Sequence, residues 1–554
     1  MANKNILLIE PSYRNKYPPL GLMKIAQYHG PRGKHDNVAF VKGEDRAAFD
    51  RAWDRIYVTT LFSFEWPRIA KSIDFALSAA NGQADKVFVG GIAASLMHDR
   101  FLAEPRWRGI RFIPGLLDKS PAESLQLDEF EEELYADDRM GTPIEELPPD
   151  YSILGHVDYT YPVNDAYFVY ASRGCIRKCS FCGVPKLEGA QRDTPSISRL
   201  VEQIAELYGE KKDLIFMDNN VVASSRFNDL IDEIVALGFH NGATLTRNGV
   251  SNKRRVDFNQ GVDARILCKD PNFLKQLSRT CLSPLRIAFD HLGLKKPYEQ
   301  AIRYAADAGL TDLSNYMLYN FHDTPSDLFQ RMRLNVALNE ELDIRIFSFP
   351  MRYQPVTLPD RSHVGPNWTR YQLRSMQVIL QATHGIVSGA PQFFRQAFGD
   401  TVQEFEALLR RPHHFIFNRM WYEQGQGKDQ LDAYFDVMNQ LTEDETEELL
   451  TFLSDVLFDT PESLRLTRTE LAAAFSSFPN PRIRMVLPFY VPLTKKEEKV
   501  IWDKQRDVRQ TLGAQAFGIA EDELVEDAQL SDGDEPAADT ATARQKVQTA
   551  ELVA

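Results

Sequence analysis

The sequence predicts an α/β protein built as a doubly wound domain, then an open barrel of β/α units, then a helical C-terminal region. Three observations carry that reading. Short β-branched runs alternate with helical patterns over the first 120 residues, a second alternating series starts at Ala166, and strand signals fade after about residue 360.

In the first series, strands are expected at 6–9, 38–41, 56–60, 87–90 and 110–114, with helices at Leu20–His29, 68–80 and 93–102 between them. That order makes 1–150 a Rossmann-like domain with its linker. The stretch 120–160 is acidic and Pro-containing, with Asp128, Glu129, Glu131, Glu132, Glu133, Asp137 and Asp138 before Pro143, Pro148 and Pro149, and reads as a linker wrapping onto the next domain. In the second series, strands are expected at 166–172, 214–218, 261–266, 285–290, 316–320 and 344–349, with helices at 198–209, 227–237, 297–308 and 326–339. Six β/α units over 160–355 imply a partial (β/α)6 barrel rather than a closed eight-fold one. Residues 356–519 are helical, and Phe393, Phe394, Phe398, Phe415, Phe417, Trp421 and Tyr422 are expected to pack a helical cap over the barrel. The segment 520–554 is polar, acidic and Ala-rich and is expected to be disordered.

At 554 residues the chain is too long for one hydrophobic core, so two or three domains are expected. With 43% hydrophobic and 26% charged residues it has the composition of a soluble globular protein, and its apolar runs are far too short for a membrane span. Nothing at the N-terminus has the form of a secretory signal, and a cytoplasmic location is expected. The net charge of −14 is concentrated at the end, where ten acidic residues from Glu521 onward face only Arg544 and Lys546. General, salt-driven nucleic-acid binding is therefore not expected.

Five cysteines are too few for a disulfide scaffold, and three of them fall within 175–182. Cys268 and Cys281 have no partner at ligand spacing and are expected as buried free thiols. Ser172-Arg173-Gly174 leads into Cys175-Ile176-Arg177-Lys178-Cys179-Ser180-Phe181-Cys182, just after the first barrel strand. Three thiolates on one loop can bind three irons of a cubane and leave the fourth iron without a protein ligand. A structural zinc would ask for a fourth ligand, and no His or further Cys stands at a suitable local distance.

At these residues the sequence resembles the radical S-adenosylmethionine (SAM) superfamily, whose CxxxCxxC signature carries an aromatic before its third Cys, as Phe181 does here. The resemblance spans roughly 166–355. It implies a [4Fe-4S] cluster on Cys175, Cys179 and Cys182, SAM chelated to the open iron, and reductive cleavage to methionine and a 5′-deoxyadenosyl radical. It also implies an electron donor such as flavodoxin or ferredoxin. By position, Asp218-Asn219-Asn220 after the second strand corresponds to the motif that binds the SAM amino group, Arg265 on the third strand to a carboxylate ligand, and Asp290 to a ribose ligand. For each, the alternative is a strand-end polar residue that caps a helix. Tyr319, Asn320, His322, Asp323, Arg352, Tyr353 and Gln354 follow later strands and are expected to line the pocket.

Pro11-Ser12-Tyr13, Pro18-Pro19-Leu20-Gly21-Leu22 and Val89-Gly90-Gly91 resemble the cobalamin-binding domain that precedes many radical SAM barrels, with Gly90 and Gly91 allowing close approach of a large flat ligand. The Asp-x-His-x-x-Gly run of other cobalamin proteins is missing, so a domain that keeps the fold without the cofactor is the alternative. With cobalamin, methylation or rearrangement of an unactivated carbon is implied; without it, hydrogen abstraction followed by oxidation, rearrangement or coupling. Methylthiotransferases carry further cysteines in their first domain, and none precedes Cys175 here. A non-enzymatic iron-sulfur module is the reading outside this superfamily. The sequence does not identify the substrate.

Overall fold

The computed structural model describes residues 3–118, 143–383, 385–387, 389–458 and 466–504. The first unit is a sheet of β1 Asn5–Glu10, β2 Asn37–Lys42, β3 Arg55–Thr60, β4 Val87–Gly91 and β5 Arg111–Ile113, all parallel, in the order β2-β1-β3-β4-β5. The winding reverses between β1 and β3, so the loops at 11–13 and 61–62 border the crevice where such sheets bind ligands. Pleating splits β1 between two cores: Ile6 and Leu8 join the core shared with the second unit, while Leu7 and Ile9 face the helix Trp66–Ala79. The expected helix at 93–102 is two short ones, Ile92–Leu96 and His98–Leu102.

The second unit continues with β6 Ala166–Val169, β7 Ser172–Arg173, β8 Arg192–Asp193, β9 Asp213–Phe216, β10 Thr244–Arg247, β11 Val250–Lys253, β12 Arg255–Phe258, β13 Leu285–Arg286, β14 Asp312–Tyr319 and β15 Arg345–Arg352. Parallel sheets β6-β9-β12 and β13-β14-β15 are joined by parallel bridges Val256 to Leu282 and Val262 to Ile287. Six parallel strands therefore follow one another side by side in one wall. The third strand is not where the sequence placed it. It lies at Arg255–Phe258, and Gly261 at φ +79° turns the chain so that Ala264–Leu267 is a one-turn helix capped by the Asp263 carboxylate. Arg265 is thus on a helix and not on a strand. The hairpin β10–β11 was not expected either, although Asn248 at φ 51° and Gly249 at φ 79° are the residue pair that a tight hairpin turn requires.

The two units are bolted together. Ile6, Leu8, Met23 and Phe40 share a core with Ala166, Phe168, Leu214 and Phe216. Tyr151 donates to Ala166 O at 2.7 Å, and Asp150 N–H donates to Met23 O at 2.9 Å. The acidic run at 128–138 and the 520–554 tail lie outside the described residues. In the C-terminal region, helices Pro391–Phe398 and Val402–Arg410 pack against helix Pro325–Leu342, and helix Arg370–Ala382 packs on Val402–Arg410, with Leu373, Phe394 and Phe405 joining the barrel core. Between helices Arg370–Ala382 and Pro391–Phe398, Val387 bridges Ser348 of β15. Later helices build a separate core around Phe415, Tyr422 and Tyr434. Of the expected core aromatics, Phe417 is exposed. Cys268 and Cys281 are half-buried rather than buried, and desolvation raises the Cys281 thiol to about 11.

Candidate functional site

Cys175, Cys179 and Cys182 lie on the loop between β7 and the short helix Val184–Leu187, at the C-terminal end of the first barrel strand. The loop is closed on itself. Cys182 N–H donates to Cys179 O at 3.1 Å, and the Glu188 carboxylate accepts the Gly174 N–H at 2.8 Å. Backbone donors also point at two of the sulfurs: Arg177 N–H is 3.4 Å from Cys175 Sγ, and Val184 N–H is 3.4 Å from Cys182 Sγ. Among the described residues, no three Cys, His, Asp or Glu side chains are gathered as a formed metal site. The loop fits a cubane by its donor chemistry, three thiols on one loop with backbone N–H groups directed at two of the sulfurs.

Burial raises the Cys179 thiol; Arg265 pulls it down, and Asp290, Cys175 and Asp263 push it up. Those residues therefore share one electrostatic neighbourhood. Asp263 is its organiser. Its carboxylate accepts Arg265 Nε at 2.8 Å, Arg265 Nη2 at 3.1 Å and Arg177 Nε at 2.7 Å. Burial alone would raise Asp263, yet the hydrogen bonds from Arg265 and Arg177 hold it below the ordinary carboxylate range. The two guanidiniums exceed the one Asp263 carboxylate by one charge, which Asp290 offsets when it is ionised. Asp290 is lifted to about 6 by desolvation, against Arg331 and Arg265. Its backbone is held by Arg331, a fully buried residue that donates to Phe289 O at 2.9 Å, Asp290 O at 3.2 Å and the Asp323 carboxylate at 3.1 Å. Sequence reasoning missed Arg331, because an Arg within an amphipathic helix carries no sign of its burial.

The Asp218-Asn219-Asn220 run divides into two roles. Asp218 is 2% exposed and accepts N–H groups from Ala171 and Ser172 and the Ser172 hydroxyl at 2.7 Å, tying the end of β9 to the approach of the cysteine loop. Desolvation still lifts it to about 6. Asn219 donates to Glu188 at 3.0 Å. Asn220 alone has a spare donor: Oδ1 accepts the Asp263 N–H at 3.4 Å, while Nδ2 is buried without a hydrogen-bond partner. Phe181 meets Phe321 edge-on at 5.7 Å, and Phe321 packs on Tyr353 at 4.7 Å, so the loop aromatic is seated against residues that follow β14 and β15.

In the first unit, the need for Gly91 is internal. It holds φ +104°, and a Cβ there would strike Thr60 O. Thr60 Oγ1 donates to Gly90 O at 2.9 Å and accepts the Ala94 N–H at 2.9 Å. Gly90 is different, since a Cβ there would meet only Ile113 O at 3.6 Å, which leaves space over the strand end. The helix that follows faces the cysteine loop: a Cβ on Gly183 would lie 3.0 Å from Leu96 and 3.7 Å from Val356.

The fold and site together define an α/β domain packed on an open parallel barrel that carries a three-thiol loop at the end of its first strand. No protein-family model matches the chain, and no curated protein matches it. Among solved structures it is similar to the radical SAM methyltransferase TsrM from Kitasatospora setae with cobalamin and a [4Fe-4S] cluster bound, at 15% identity over 64% of this chain and 77% of that one, with a TM-score of 0.42. It is similar to the cobalamin-dependent SAM radical enzyme OxsB with aqua-cobalamin and SAM bound, at 13% identity over 95% of this chain and 83% of that one, TM-score 0.48. A shorter match, at 12% identity over 39% of this chain and 47% of that one, TM-score 0.27, is to Streptococcus suis SuiB bound to SAM. No helix among the described residues is long and apolar enough to cross a membrane.

Proposed function

We propose that the chain is a radical SAM enzyme. The observation that carries this reading is the loop Cys175, Cys179, Cys182 at the C-terminal end of the first strand of a six-stranded parallel barrel, with backbone N–H groups aimed at two of its sulfurs. Cys175, Cys179 and Cys182 hold a [4Fe-4S] cluster, which when bound supplies the electron that cleaves SAM to methionine and a 5′-deoxyadenosyl radical. Arg265, held by Asp263 together with Arg177, presents its guanidinium to the SAM carboxylate. Asn220 Nδ2, a buried donor without a partner, would serve the same carboxylate, and Asp290 would hold the ribose hydroxyls. Phe181 and Phe321 shield the loop from water on the side of β14 and β15, which a carbon radical requires. Asp218 and Asn219 are assigned to support of the loop.

The open strand end at Gly90, where a Cβ would meet only Ile113 O at 3.6 Å, supports a flat cofactor on the first unit, and with cobalamin there the reaction is methylation or rearrangement of an unactivated carbon. A second observation favours the reading without it. Phe62 stacks on Phe64 at 5.3 Å and Arg361, from the loop after β15, covers Phe64 at 4.2 Å, so side chains already bridge part of the gap between the units.

Anaerobic reconstitution tests the central reading. The chain should take up about four irons and form 5′-deoxyadenosine from SAM with a chemical reductant or a reduced flavodoxin or ferredoxin, and Cys179→Ala should lose both. Reductive SAM cleavage by the triple Cys→Ala variant would overturn it. Co-purification of a corrinoid chromophore from cells supplied with cobalamin separates the two forms of the reaction.

A further inference from the structure

We propose that Lys24, Glu145, Arg173 and Glu188 form a chain of alternating charges, with its cations buried and its carboxylates half-buried, through which the first domain sets the geometry of the cysteine loop. The proposal rests on the iron-sulfur reading of that loop. Lys24 lies on the helix Leu20–His29 of the first domain and is 3% exposed. Its Nζ is 3.2 Å from a carboxylate oxygen of Glu145, in the segment between the units, and also donates to Glu145 O. Arg173 Nη2 pairs with the same Glu145 carboxylate, and Arg173 Nη1 reaches Glu188 at 3.4 Å. Glu188 then accepts the Gly174 N–H at 2.8 Å and Asn219 Nδ2 at 3.0 Å with its other oxygen. The chain thus ends on the peptide that leads directly into Cys175.

Its order explains why it positions and does not merely hold. Each inner member lies between two opposite charges, so the four are balanced only as a set. Removing the Lys24 charge leaves Glu145 to draw on Arg173 alone. Arg173 lies 3.3 Å over the Tyr170 ring and reaches Glu188 at the longest distance in the chain, so it can yield toward Glu145. Glu188 then loses its cation and its fixed hold on the Gly174 N–H. A second buried pair, within the first unit, gives the contrast. Lys42 binds Glu10 at 2.7 Å, and Glu10 also takes Asn15 and Tyr161, but none of these touches the cysteine loop.

The experiment compares full-length Lys24→Met, Lys24→Arg and Lys42→Met, each with Cys268→Ser and Cys281→Ser so that only the loop thiols report. In iron-free protein, Lys24→Met should raise the labelling rate of these thiols by a colorimetric thiol reagent by about tenfold, as expected when a locally protected segment opens. Lys24→Arg should restore the parent rate, and Lys42→Met should lower the melting temperature without changing it. After iron loading, Lys24→Met should also shift the electron paramagnetic resonance of the reduced cluster. Lys24→Met that melts lower but labels and resonates like the parent would overturn the proposal and reduce the chain to interdomain glue. Failure of the parent to load iron strikes the iron-sulfur reading instead, and the iron-free labelling still decides the role of Lys24.

Discussion

A Cβ on Gly174 would collide with the carbonyl oxygen of Ala190, and Gly174 holds φ +75°. The residue before Cys175 must therefore be glycine for two separate reasons, backbone conformation and space. Gly189, at φ +76° with nothing within 4 Å, shares only the first reason. Gly174→Ala should destabilise the protein by more than the ~1 kcal/mol of a positive-φ substitution and lower the iron retained after reconstitution. Gly189→Ala should cost only the conformational part. Equal melting temperatures and iron contents for the two variants would refute a steric role for Ala190.

Arg265 forms a fork on Asp263, and the same carboxylate caps the helix through the Arg265 N–H at 2.9 Å. Because the Arg265 side chain is 37% exposed, its ion pair contributes within the ~1 kcal/mol usual for a partly solvated pair. Arg265→Lys should then leave melting and iron content nearly unchanged while weakening SAM by about 1 to 3 kcal/mol, the range for losing a charge-assisted hydrogen bond. SAM titration of the iron-loaded variant checks it. An unchanged affinity assigns Arg265 to Asp263 alone.

The site was legible where chemistry is local in sequence and illegible where it depends on burial. Three cysteines within 175–182, at the end of a strand and beside an aromatic, are read directly, because ligand spacing is a property of the chain. The third barrel strand was misplaced because Arg255–Phe258 is short and begins with a charged residue, while Gly261-Val262-Asp263 looks as strand-like without its φ. The Asp218-Asn219-Asn220 run was visible as a polar strand end but its division of labour was not, since one spare amide among three polar side chains is decided by partners from Ala171, Ser172 and Glu188. Lys24 and Arg331 gave no signal, because their partners lie across the fold.

Inside the barrel, Asp257 on β12 and Arg286 on β13 form a two-pronged pair at 2.9 and 3.0 Å, with side chains 2% and 5% exposed. Arg286 also donates to Ser314 Oγ at 3.2 Å. Asp257→Asn leaves a buried guanidinium without its counter-charge, and about 3 to 5 kcal/mol of stability should be lost. Asp257→Leu with Arg286→Met should recover most of it, because the pair's desolvation is removed along with its attraction. Chemical denaturation of the single and double variants decides; a double variant no more stable than the single would show that the pair is net stabilising here.

His29 gives the first domain an acid limit. The ring is 1% exposed, with Nδ1 2.8 Å from the Asp36 carboxylate and Nε2 3.0 Å from the Tyr57 hydroxyl. Desolvation lowers it to about 4, with Arg55 and Lys34 acting in the same direction and Asp36 opposing them. In the unfolded chain the same imidazole titrates near 6.5, so between these values the unfolded state binds a proton that the folded state does not. The resulting stability is full above about pH 6.5 and is lost as pH falls toward 4, a total of about 3 kcal/mol for a shift of this size. His29→Gln keeps one donor and one acceptor on the amide and removes the titration. Measured by denaturant unfolding at pH 7 and pH 5, wild type should lose clearly more stability over that interval than His29→Gln. Parallel losses in the two proteins would mean that His29 does not set the acid limit.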